Sequence, residues 1–128
     1  MLKLLIVSPD KNSLYGLASA LAEHDDVELS WAESGKNAME IASDSTIDLV
    51  VTDESLGDMT GLEFASKLLS VNPMINCASV SRLSPEKFHE ISEGLGIMVQ
   101  LPLQPGKKHA KELLQRLKNL KTLMTGMK

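Results

Sequence analysis

The chain has 128 residues, of which 43% are hydrophobic and 23% charged, with a net charge of −4 and a single cysteine, Cys77. That length and composition suit one soluble domain, residues 1–128, with one core; a lone cysteine excludes an internal disulfide and a cysteine zinc cage and fits a reducing, cytoplasmic setting. Residues 1–106 hold 6 basic and 16 acidic side chains, while residues 107–128 hold 7 basic and 1 acidic. The acidic field repels phosphates, so direct nucleic-acid binding is not expected, whereas the C-terminal segment suits an acidic protein partner.

The first element is the aliphatic run Leu4–Val7, too short for a signal peptide or a membrane span. Leu14, Leu17, Ala18 and Leu21 follow at helical spacing, with Asp10 placed to cap that helix. Val27–Ala32 alternates apolar and polar, which predicts a half-exposed strand. Ser34 reads as the N-cap of a helix running to about Ala42. Ile47–Thr52 reads as a buried strand, and it runs directly into Asp53 and Glu54. Leu62, Ala65, Leu68 and Leu69 form the next apolar stripe, which ends before Asn72-Pro73.

Ile75–Val80 is a weaker strand because Asn76 and Ser79 interrupt it. Ser84-Pro85-Glu86 has the order of a helix start: cap, proline at the first turn, acid beside the dipole. Ile97–Leu101 is a fifth strand. Ala110, Leu113, Leu114, Leu117 and Leu120 give a final amphipathic helix. Cys77 and Met98 are expected in the core. Lys107, Lys108, Lys111, Arg116, Lys118 and Lys121 are expected on the solvated face of the last helix. Lys107 and Lys108 stand where cations oppose the helix dipole. His24, His89 and His109 have no ligand spacing.

Five strands alternating with five helices predict an α/β fold: a doubly wound, five-stranded parallel sheet covered on both faces. In such sheets the functional crevice lies at the carboxyl ends of the strands, and Asp53 sits there. No nucleophile–base pair or catalytic metal cluster is visible, so a stand-alone enzyme is not expected. A flavin or similar ligand would need a glycine-rich phosphate loop after the first strand, and SPDKNS (8–13) contains no glycine.

The segment DLVVTDESLGDMTGLEF (48–64), within this five-unit alternation, resembles the phosphoacceptor strand and loop of bacterial response-regulator receiver (CheY-like) domains. The resemblance covers Leu2 to about Met124 and implies flavodoxin-like topology. It implies that Asp53 is the phosphoacceptor, that Gly61 opens the third helix and that the Ser55 carbonyl helps hold Mg²⁺. It implies Ser81, or Ser79 in an ungapped reading, as the phosphate-contacting hydroxyl. The partners implied are a histidine kinase or phosphotransfer protein, with a protein partner or homodimer on the last helix face.

The rest of the pattern departs from the family. Ser8 and Pro9 stand where the family has acidic metal ligands, and Asp10 lies one position further on. The implied metal set is therefore Asp10, Asp53 and Ser55, a weak Mg²⁺ site. The lysine that usually ends the fifth strand is absent, whether the register is taken at Leu101-Pro102, which continues better into the last helix, or at Gln104-Pro105. Met98 stands in place of the usual aromatic. Two readings follow: a degenerate phosphorylation switch, or a phosphorylation-independent pseudo-receiver acting as an interaction module.

Overall fold

A computed structural model describes the backbone of residues 1–126 and the side chains of residues 1–121. Five units alternate: β1 (Leu2–Val7), α1 (Lys11–Ala22), β2 (Val27–Ala32), α2 (Gly35–Asp44), β3 (Leu49–Thr52), α3 (Gly61–Val71), β4 (Asn76–Val80), α4 (Pro85–Ser92), β5 (Ile97–Leu101) and α5 (Lys107–Gly126). The strands are parallel in the order β2-β1-β3-β4-β5, the doubly wound flavodoxin-like order.

Period-two alternation divides the core. Leu4, Ile6, Leu49 and Val51 face α1 and α5, where they meet Leu14, Leu17, Leu113 and Leu117. Leu5, Val7 and Val50 face α2 and α3, where they meet Ala38, Phe64 and Leu68. The central strands β1 and β3 are buried on both faces, hence their unbroken aliphatic runs. Edge strands β2 and β5 are half-exposed. Cys77 is buried, and Met98 packs half-buried against the core.

The helix starts follow capping chemistry. Asp10, Ser34, Thr60 and Ser84 each accept a backbone N–H at their helix N-termini, and Thr60 forms a reciprocal capping box with Glu63. Three strand boundaries differ from expectation. β1 begins at Leu2 rather than Leu4, because Leu2 and Lys3 already pair with Val27 and Glu28 of β2. β3 begins at Leu49, because Asp48 turns its carboxylate to the Lys3 backbone N–H and to Lys121, and Ile47 is buried ahead of the strand. β4 begins at Asn76 rather than Ile75. Met124 lies beyond the described side chains.

Candidate functional site

Asp53 follows β3 directly, and its backbone N–H still donates to the Val7 carbonyl of β1. The ladder therefore delivers the carboxylate to the carboxyl edge of the sheet, half-exposed. Its Oδ2 accepts from two hydroxyls of the β1–α1 segment, Ser8 at 2.8 Å and Ser13 at shorter range. Its Oδ1 accepts the Glu54 N–H at 2.8 Å. Ser8 is buried, and its Oγ lies 3.2 Å from that of Ser13 and 2.8 Å from the Asp10 carbonyl. Two neutral donors thus occupy the side of Asp53 where an acidic pair would face it.

The other acids of the β3–α3 loop are tied to different neighbours. The Glu54 carboxylate receives the Arg82 backbone N–H at 2.8 Å and the Arg82 Nε at 2.7 Å. Partial burial works to raise the Glu54 pKa, but the Arg82 N–H, the guanidinium and the Ser81 hydroxyl outweigh it and hold the carboxyl below its ordinary value. Asp58 receives the backbone N–H groups of Gly35 and Lys36 at the α2 N-terminus, and these hold its carboxyl below the ordinary value too. One short loop is thereby stitched to β1–α1 by Asp53, to β4–α4 by Glu54 and to α2 by Asp58.

Beneath Asp53, Thr52 and Ser79 are fully buried and pair through their hydroxyls at 3.3 Å. α3 begins directly on this pair. A Cβ on Gly61 would stand 2.4 Å from the Asp53 carbonyl oxygen and 2.5 Å from Thr52 Oγ1, so only glycine fits. Ser79 is thus committed to the sheet interior. Ser81 lies one residue past β4, where its N–H donates to the Leu101 carbonyl and its Oγ accepts the Leu83 N–H.

Leu101 ends β5 and is buried in the α1/α5 core. Gln104 lies in the exposed loop beyond, in the left-handed region at φ 50°. Neither contributes a cation. Instead, the Nε2 of Gln100 donates to the carbonyls of Ser81 and Leu83, at 3.4 and 2.8 Å, and holds the β4–α4 loop from the β5 side. Ser13, Arg82, Asp58 and Gln100 were not legible as site residues. Their partners lie 40, 28, 23 and 19 or fewer positions away in the chain, and no local motif marks such pairs.

The expected metal set is not gathered into one cage. The Asp10 carboxylate is exposed and caps α1 by accepting the Asn12 N–H at 3.0 Å. Ser55 is exposed, its backbone bridging to Thr60. Among the described residues no group of three or more His, Cys, Asp or Glu is arranged to hold a metal. Hard divalent cations need charged oxygens, and here one carboxylate, hydrogen-bonded through both oxygens, faces neutral hydroxyls. These residues do not fit a tightly held Mg²⁺.

The response regulator receiver domain family matches residues 4–106, in step with this strand order and the acid at the end of β3. The chain belongs to that family. Among solved structures, this receiver domain is similar to the signal receiver domain of an HD domain-containing protein from Pseudomonas fluorescens Pf-5: TM-score 0.83, 16% identity, 98% of this chain and 92% of that one. It is similar to the chemotaxis response regulator CheY4 of Vibrio cholerae, with TM-score 0.80, 19% identity, and 91% and 98% coverage. A CheY-like receiver domain protein from Methanospirillum hungatei JF-1 gives 0.82, 17%, and 95% and 98%. No curated protein matches the sequence. Receiver domains interact with histidine kinases or phosphotransfer proteins and commonly bind Mg²⁺ at the phosphorylation site. No helix among the described residues of this receiver is long and apolar enough to cross a membrane.

Proposed function

We propose that this receiver domain serves two-component signalling as a protein-interaction module whose surface does not depend on phosphorylation of Asp53. The supporting observation is the pair of serine hydroxyls on Asp53 Oδ2. Phosphoryl transfer to a carboxylate brings negative charge onto negative charge, and catalysis rests on cations that neutralise and position it. Losing one such electrostatic partner costs ~10²–10³ in rate by analogy with oxyanion sites. In this reading Ser8 and Pro9 stand in place of the family's acidic metal ligands, and Leu101, or Gln104 in the alternative register, in place of its strand-end lysine.

The partner surface in this reading is the outer face of α5. Lys107, Lys118 and Lys121 lie against Glu23, Asp26 and Asp48 of the same molecule. Lys108, Lys111 and Arg116 are exposed and line one open concavity, suited to an acidic protein partner or a second copy. The competing reading, in which Asp53 accepts a phosphoryl group from a kinase or phosphotransfer protein and Ser81 contacts it, draws on the half-exposed carboxylate at the sheet edge.

An amide NMR titration with Mg²⁺ and then beryllofluoride, a phosphoryl mimic, separates the two. The module predicts no saturable shift at millimolar Mg²⁺ and the same spectrum response in Asp53→Asn. Saturable shifts at Asp53, Ser55 and Ser81 that spread to α5 and vanish in Asp53→Asn would refute it.

A further inference from the structure

The Glu54 carboxylate is surrounded as a bound anion would be. Two donors of Arg82 converge on it: the backbone N–H and the guanidinium. The two arginine donors reach separate oxygens, N–H to Oε2 at 2.8 Å and Nε to Oε1 at 2.7 Å, so the carboxylate is gripped in a fixed orientation. Amide and guanidinium together form a general oxyanion receptor, indifferent to whether the oxyanion is a carboxylate or a phosphate.

The receptor is not buried. The Arg82 side chain is 71% exposed and that of Glu54 30%, so an external anion has access whenever Glu54 leaves. The segment carrying the receptor is held from the opposite side by Gln100 Nε2 on the Ser81 and Leu83 carbonyls. It leads directly into α4, whose N-cap is Ser84. Whatever fills the receptor therefore sets the β4–α4 loop.

We propose that Arg82, through its backbone N–H and guanidinium, forms an oxyanion-binding site that the chain keeps filled with its own Glu54, and that this internal anion fixes the β4–α4 loop whatever the state of Asp53. Glu54 acts here as a positioning residue. The proposal rests on the phosphorylation-independent reading, since it assigns loop control to Glu54 rather than to Asp53.

The test is an amide NMR titration of ¹⁵N-labelled protein with inorganic phosphate, together with amide exchange, for wild type, Glu54→Ala and Glu54→Ala/Arg82→Ala. Wild type shows no saturable shift at the Ser81, Arg82 and Leu83 amides. Glu54→Ala gains a saturable shift there at millimolar phosphate, and the gain is lost in the double variant. Exchange of the Leu83 amide, slow in wild type, rises about tenfold in Glu54→Ala and falls again with saturating phosphate. Glu54→Gln, which keeps the side-chain length without the charge, lies between. A Glu54→Ala protein that binds no phosphate at these amides, or that binds it equally without Arg82, overturns the proposal. Faster exchange without phosphate rescue overturns it too. Beryllofluoride shifts in the wild-type protein that require Asp53 would instead refute the phosphorylation-independent reading and leave the phosphate result standing.

Discussion

Replacing Ser8 with aspartate places a second acid beside Asp53, and the outcome follows from the distances. Ser8 Oγ is buried and 2.8 Å from Asp53 Oδ2, so a carboxylate at residue 8 sets two like charges about 4 Å apart after relaxation. At an effective dielectric of about 20 that repulsion is worth up to ~4 kcal/mol. Asp53 is half-exposed, and solvent screening reduces the net destabilisation to about 2–3 kcal/mol at neutral pH in chelator. The lost hydroxyl hydrogen bond is part of the same change.

With m near 1–3 kcal/mol/M in urea, the unfolding midpoint falls by roughly 1–2 M. The shared charge raises one carboxyl pKa in the folded state, so the folded protein holds an extra proton. The deficit is therefore smallest in acid and grows as pH rises above the ordinary carboxylate range. The new carboxylate pair also supplies charged oxygens, so Mg²⁺ now binds and at 100 times its dissociation constant recovers about 2.7 kcal/mol. Urea melts of wild type, Ser8→Asp and Ser8→Ala with EDTA or Mg²⁺ read all of this. Ser8→Ala is destabilised but indifferent to Mg²⁺. A Ser8→Asp protein as stable as wild type in EDTA and unmoved by Mg²⁺ would refute the view that Ser8 is the neutral stand-in.

Gly61→Ala forces a Cβ onto the Asp53 carbonyl and Thr52 Oγ1 and costs about 1–3 kcal/mol in urea melts, whereas Gly106→Ala, with open space around it, is near neutral. Glu54→Gln loses the Arg82 ion pair, an exposed contact worth ~0.2–1 kcal/mol at neutral pH. Because the Glu54 pKa is lowered in the folded state, that difference from wild type persists above the ordinary glutamate range and shrinks as pH falls below ~4.3; a gap that widens in acid would contradict the assignment. The Cys77 thiol, pushed up to about 12 by burial, stays unlabelled by thiol reagents at pH 8 and reacts at the global unfolding rate; rapid native-state labelling would show the β4 core to be open.

The architecture was legible because it depends on short-range periodicity. Aliphatic runs of four to six residues, each followed by a helical stripe, specify buried parallel strands and their cover. Ser34 and Ser84 marked helix starts because capping needs one side chain two or three residues from its N–H. The delivery of Asp53 to the carboxyl edge of the sheet followed from its place at the end of a buried run, and the departures from the family pattern were visible at Ser8 and Pro9 and at Leu101 or Gln104. The position of Ser81 beyond β4, as against Ser79 inside it, became distinct only with the strand register, which pairs Ser79 with Thr52 under Gly61.

The sequence by itself therefore determined the fold and the place of Asp53 at the carboxyl edge of the sheet. Only the tertiary structure decided where the loop's charges go: Asp53 to Ser8 and Ser13, Glu54 to Arg82, Asp58 to the α2 N-terminus. Side-chain pairing between loops depends on which strand ends the sheet order makes neighbours. β1 and β4 flank β3 although they lie far apart in the chain, and that adjacency is written in no local pattern of residues.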